Sequence, residues 1–263
     1  MAKPKVQDIV QFVSVQQPLT VAAARQLATD YPHRIYLTLH ESWESTAALD
    51  ALMQAVGQRL ETLYLLKPGK GFWPWLQGDP PLREVILPGS MIPTQWPQAY
   101  DAPTESLWFH HIPKSRTTLD LSGFRKVRKV HLESPGHITL HLSGKVTSLS
   151  LDHLTVTPDD SWASLQELRI ESAKLDLAPL LAACPHLDTL QLAWPFRLDN
   201  LETLLRSRHW DKIDILGNPG MPTDLIDRLW EARIANKIDC RHFPGPFQEE
   251  VFTNGKWEAY CTR

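Results

Sequence analysis

The chain has 263 residues, a formal net charge of −3, 43% hydrophobic residues and 22% charged residues. That is enough chain to bury a large core, and the near-balanced charge gives no electrostatic draw toward nucleic acid or an anionic membrane. Cys184, Cys240 and Cys261 show neither zinc-site spacing nor a disulfide framework, no run of about 18 apolar residues could span a bilayer, and the first residues carry no apolar signal core. The expectation is a cytoplasmic chain, monomeric when free, with no cofactor or metal.

Taken in order, the chain repeats a short pattern of two apolar residues separated by one polar residue, as on a strand with one buried face. The pairs are Val13/Val15, Leu37/Leu39, Leu63/Leu65, Val85/Leu87, Leu107/Phe109, Val130/Leu132, Leu149/Leu151, Leu168/Ile170, Leu190/Leu192, Ile213/Ile215 and Ile238/Cys240. Successive pairs lie 19 to 26 residues apart. Three residues before each pair an apolar residue recurs, at Val10, Leu60, Leu82, Val127, Val146, Leu165, Leu187, Trp210 and Ala235, and fails only at Arg34 and Thr104.

The connections differ along the chain. Residues 20–30, with Thr20 as N-cap, and 45–59, with Leu49, Leu52, Met53 and Val56 at helical spacing, read as helices. From Lys67 to Pro103 eight prolines exclude long helices, and Trp73, Trp75, Trp96 and Tyr100 are left to cover the core. Thr118–Leu121 and His137–Leu142 alternate like strands between the inward pairs, on the outer side. Helices return at about 176–183, 199–207 and 222–234. Residues 247–263 carry Asn254-Gly255 between strand formers, a hairpin signal.

These pairs, at this spacing, resemble a leucine-rich repeat over about residues 10–243. The resemblance implies an α/β solenoid of about eleven irregular repeats, with a parallel concave sheet and a mixed helical, strand and irregular convex side. On that reading 1–246 form the solenoid, with Lys5–Gln11 as a helix-like N-terminal cap, and 247–263 form a C-terminal β-hairpin cap. The departure is at the turn position after each pair, where the family places Asn or Cys and this chain fits only at Asn218.

In such a sheet the residues between and beside each pair face outward. The N-terminal half of that face carries Tyr36, Tyr64, Leu66, Ile86, Trp108 and His110, with Glu84 in the row before. Further on come His131, Glu133, Asp152, Arg169 and Glu171. Aromatic anchors with a charged rim are the anatomy of a protein interface. The competing reading is that the Pro- and Trp-rich segments fold over those aromatics. The expected function is therefore non-catalytic binding of a protein partner, in one version as an immunity protein or inhibitor of a cognate toxin. The alternatives are an adaptor or scaffold subunit, and an enzyme using Cys240 and His242.

Catalytic motifs are sparse. His110-His111 are adjacent, and neighbours on a strand point to opposite faces, which disfavours chelation. His131, His137, His141 and His153 are scattered, and Cys184 reads as a buried thiol near a helix end. Gly69-Lys70-Gly71 lacks phosphate-loop spacing. Asp159-Asp160-Ser161 reads as a turn with an N-cap. Cys240 and His242 share a strand face, but no third partner is evident.

Overall fold

The structure is a computed structural model that describes residues 10–67, 69–76, 82–93, 104–171, 177–193, 201–217, 221–245, 248–253 and 255–261. It is α/β, with mostly parallel strands and few helices. The chain divides into two compact units, one of residues 1–113 and 122–131, the other of residues 114–121 and 132–263.

In the first unit β1 (Val10–Val15), β2 (Arg34–Leu39), β3 (Leu60–Leu65), β4 (Glu84–Pro88) and β5 (Ser106–His110) pair in chain order, all parallel. The register stacks Val13, Leu37, Leu63, Val85 and Leu107 in one row, and all five are buried. Leu39, Leu65, Leu87 and Phe109 are buried two residues along, while Val15 is only half-buried. Each fully buried aliphatic side chain contributes roughly 1.5–3 kcal/mol.

The predicted helices form as α1 (Val21–Asp30) and α2 (Thr46–Val56), the second followed by a 3-10 turn to Arg59. Thr20 caps α1, its Oγ1 accepting the Ala23 N–H at 3.0 Å. Arg59 donates to the carbonyl of Tyr31 at 2.7 Å, satisfying an acceptor at the end of α1. Among its described residues the Pro-rich stretch forms one α-helix, the five-residue α3 (Phe72–Leu76). Pro74 is tolerated there because the first turn needs no backbone donor. Trp73 lies 6.4 Å from Phe109 and 6.4 Å from Phe124, ring centre to centre, on the inward side of the sheet. It therefore covers core and not the outward aromatics, whereas Trp96 and Tyr100 lie outside the described residues.

The helix-like reading of Lys5–Gln11 fails where it can be checked, because Val10 and Gln11 belong to β1 and pair with Arg34 and Ile35. The alternating Val-Gln-Phe-Val-Ser-Val run favours a strand once β2 is present to pair with it. Val10 is exposed, unlike Leu60, Leu82, Val127, Val146, Leu165, Leu187, Trp210 and Ala235 at the equivalent position.

In the second unit, β6 (Thr118–Asp120) comes first, and β7 (Lys129–Glu133) contributes residues to both units. There follow β8 (His137–His141), β9 (Ser148–Asp152), β10 (Thr155–Thr157), β11 (Glu167–Glu171), β12 (Thr189–Ala193), β13 (Trp210–Leu216) and β14 (Ala235–Gly245). Strands β9, β11, β12, β13 and β14 pair in parallel, stacking Leu149, Leu168, Leu190, Ile213 and Ile238. The two outer strands read from sequence, β6 and β8, are joined by β10 in a separate three-stranded parallel sheet. Helices α4 (Leu177–Ala183), α5 (Leu201–Leu205) and α6 (Thr223–Glu231) fall within the predicted windows.

The hairpin forms from β15 (Gln248–Thr253) and β16 (Lys256–Cys261), and β15 also pairs antiparallel with β14. Thr253 pairs directly with Lys256, leaving a two-residue connection. Gly255 has φ +89°, and a Cβ there would lie 2.7 Å from Nε1 of Trp230. Phe252 is buried between Trp230 and Trp257, at ring distances of 5.9 and 5.3 Å. Gly255→Ala is expected to destabilise the protein by about 1–3 kcal/mol, since both backbone and indole oppose a side chain. Gly144→Ala, with no atom within 4 Å of its Cβ, is expected to be nearly neutral. Thermal denaturation of the two variants side by side checks this.

Candidate partner-binding face

The sheet face opposite the inward pairs follows from strand alternation. In the first unit it has three rows set by register. One row reads Phe12, Tyr36, Thr62, Glu84 and Ser106. The next reads Ser14, Thr38, Tyr64, Ile86 and Trp108. In the third, Pro88 pairs with His110, and Gln16, His40 and Leu66 follow β1, β2 and β3.

The large side chains of this face form contacts with one another. Phe12 is 79% exposed and lies 5.3 Å from the ring of Tyr36. Tyr64 meets His110 edge to face at 5.3 Å. Trp108 packs on His131 at 4.1 Å. Tyr36, Tyr64, Leu66, Trp108 and His131 are half-buried, which leaves part of each available. Two expected contact residues are corrected: Ile86 is 3% exposed and His110 is 7% exposed. Ile86 sits in register between the larger Tyr64 and Trp108, and His110 is packed by Tyr64 and His111. Phe12, Thr62 and Ser106 also belong to the face. Phe12 stands one residue before an inward pair, as Tyr36 does, so spacing could have found it.

The His110–His111 argument also needs correction. Their rings lie 5.0 Å apart, because His111 follows the strand with φ +53° and turns its side chain back. Among the described residues no group of three or more His, Cys, Asp or Glu side chains is arranged to hold a metal ion.

Polar groups are tied down in the same rows. Glu84 accepts from the Thr62 hydroxyl at 2.7 Å and from the Ser106 hydroxyl at 3.1 Å. The Tyr36 phenol is raised above its ordinary value, first by burial, then by the nearby Glu84 and Tyr64, and so stays protonated. Ser14 and His40 share a hydrogen bond of 2.8 Å.

Four predicted face residues, Glu133, Asp152, Arg169 and Glu171, lie in the second unit. There Arg169 pairs with Glu171, Lys212 with Asp214 at 3.1 Å and Asp239 at 3.5 Å, and Lys237 with Asp239 at 2.8 Å. Burial opposes the charge on Lys212, but the hydrogen bond and charge of Asp214, with Asp239, outweigh it and raise its pKa. Asp152 is raised first by burial, with Glu171 and Glu133 adding to the shift and His153 and Arg169 opposing it. The strip is a largely self-neutralising lattice of exposed and half-exposed charges.

The catalytic alternative can be placed as well. Cys240 and His242 are both buried. Burial, and then the charge of Asp214, push the Cys240 thiol up to about 12, so it holds its proton at neutral pH. Cys184 is likewise pushed up to about 11 by burial, with Arg208 opposing. Cys184 and Cys240 are expected to resist iodoacetamide in the native protein at mildly alkaline pH and to react fully in denaturant, as read by peptide mass mapping.

One Ser, Asp and His do meet, at the end of β8. Asp159 caps a 3-10 turn, accepting the Ser161 N–H at 2.9 Å, and its other oxygen pairs with Nδ1 of His141. The Ser161 hydroxyl also donates to Asp159 and accepts the Leu142 N–H at 2.8 Å. The serine thus faces the carboxylate and not the imidazole, so the trio is a clasp and not a nucleophile with its base. Burial would raise the Asp159 pKa, but the Ser161 and His141 hydrogen bonds and the His141 charge hold it below the ordinary value. A depressed folded pKa stabilises the fold above the unfolded value, and that gain is lost as pH falls through the folded one. The stability difference between the protein and Asp159→Asn is therefore expected to be steady at neutral pH and to shrink below about pH 4, as measured by urea denaturation across pH.

Among the described residues, no helix is long and apolar enough to cross a membrane. No protein-family model matches the chain, and neither a curated protein nor a solved structure shows significant similarity to it.

Proposed function

We propose that this chain is a non-catalytic protein-binding module, built as an irregular leucine-rich-repeat-like solenoid, whose outward sheet face in the first unit receives a protein partner. The observation that carries the reading is the group of large side chains on that face, from the 79% exposed Phe12 through Tyr36 and Tyr64 to Trp108. Exposed and half-exposed rings on a pre-formed sheet are the side chains that dominate binding energy in protein interfaces. The repeated inward pairs and parallel register support the solenoid reading, because stacked units that bury one another's apolar residues are the physical basis of repeat folds.

Within this reading, inhibition of one cognate toxic protein is the preferred role, and an adaptor or scaffold subunit is the rival. The buried, protonated thiol of Cys240 supports a role without covalent catalysis. The test is a pull-down of the tagged chain from its host with mass spectrometry, followed by affinity measurement with the purified partner. Phe12→Ala, which removes no core, is expected to weaken binding by about 2 kcal/mol, and Trp108→Ala by at least that amount. Unchanged affinity in both, with folding intact by circular dichroism, would sink the assignment of this face. Loss of protection against a toxic partner would identify an inhibitor, whereas loss of an assembly would identify an adaptor.

A further inference from the structure

We infer that the partner presents an arginine side chain to this face, which pairs with Glu84 and lies against the neighbouring tyrosines. The inference rests on the protein-binding reading above and names the chemistry of its anchor.

Charge complementarity carries it. Glu84 stands in the middle of the face, half-buried, in one register row with Tyr36, Thr62 and Ser106. Its two oxygens each accept one neutral hydroxyl, from Thr62 and from Ser106. Those two bonds fix the carboxylate in place and leave further acceptor positions open, since an ionised carboxyl has about four lone-pair sites. Among the described residues Glu84 makes no ion pair. The contrast with its neighbour is direct: Glu61 is held by Arg34 at 3.3 Å and by Arg83 at 3.4 Å. Glu41 likewise pairs with Lys67. Among the described residues the first unit thus pairs Glu41 and Glu61 but sets no cation against the carboxylate of Glu84.

A fixed, partly desolvated carboxylate costs free energy unless a cation meets it. Aromatic rings beside it suit a cation that is also flat and weakly hydrated. A guanidinium donates through a planar fork to a carboxylate and stacks on aromatic faces, which a lysine ammonium does less well. The protonated phenol of Tyr36 adds no competing negative charge.

The test uses the full chain, labelled with ¹⁵N, titrated with acetyl-Gly-Arg-Gly-amide and with the matching citrulline peptide, which keeps the shape and removes the charge. The Arg peptide is expected to shift the backbone amide signals of Tyr36, Thr62, Glu84 and Ser106 saturably. Binding is expected to be at least about tenfold weaker for the citrulline peptide and for the Glu84→Gln variant. Glutamine can accept from one of these hydroxyls through its oxygen and donate its amide N–H to the other hydroxyl oxygen, so this variant can keep a hydrogen bond to both Thr62 and Ser106, and an unchanged melting temperature confirms its fold. Equal binding of the citrulline peptide, equal binding by Glu84→Gln, or no response to the Arg peptide up to its solubility limit overturns the inference. If Phe12→Ala and Trp108→Ala release the natural partner while Glu84→Gln does not, the face binds without a cationic anchor: the inference then fails and the protein-binding reading stands.

Discussion

A lone parallel strand cannot bury its apolar residues, and the strands of this chain carry only a few of them on their inner side. Leu37 and Leu39 become core only because Leu63 and Leu65 lie beside them in register, and those in turn depend on Val85 and Leu87. A slip of one residue would turn a whole pair outward, so register is fixed by burial as much as by hydrogen bonds. The same dependence runs through Leu149, Leu168, Leu190, Ile213 and Ile238 in the second unit. Everything else serves to close the other side of these stacks and to keep their ends from fraying.

That closure uses varied means, which explains why the repeats look degenerate. Some connections are helices whose terminal carbonyls are satisfied by an arginine from farther along the chain. Arg59 reaches Tyr31, and Arg208 reaches Leu181 at 2.6 Å and Cys184 at 2.7 Å. Elsewhere tryptophan does the work, with an apolar ring in the core and its N–H on a backbone carbonyl. Trp73 bonds Met91 at 2.7 Å, Trp162 bonds Leu140 at 2.9 Å and Trp210 bonds Leu205 at 2.8 Å. In the middle of the chain a small second sheet of β6, β8 and β10 takes the place of helices. Each device satisfies backbone groups locally.

The outward faces of the two units differ in how they treat charge. The second unit pairs its acids and bases with one another, as Lys212 does with Asp214 and Asp239, and exposed pairs of that kind add little stability. The first unit gathers rings around one carboxylate that no basic side chain among the described residues answers. A fold could dispense with Phe12, which touches Tyr36 and is otherwise mostly in water. Side chains that do little for the fold yet resemble interface anchors are the reason for placing binding there.

The sequence by itself determined the local elements. The period-two pairs, the Thr20 cap, the helical spacing of Leu49, Leu52 and Val56, and the C-terminal hairpin strands each depend on neighbours within one turn or one strand, and each appears where the residues predict it. Which residues face outward also follows from alternation alone, so Tyr36, Tyr64, Trp108 and His131 could be named in advance. Only the tertiary structure decided how much of each is exposed, because that depends on side chains one or two strands away. Ile86 is covered by its flanking rings, His110 by Tyr64 and by a His111 turned back at positive φ, and Val10 is left exposed on β1. The same holds for ion pairs. His141 meets Asp159 because the parallel register of β8 with β10, His137 against Thr155, carries an offset of 18 residues to the strand's end. Among the described residues Arg83 pairs with Glu61 and Glu84 makes no ion pair, a distribution set between strands and invisible along one.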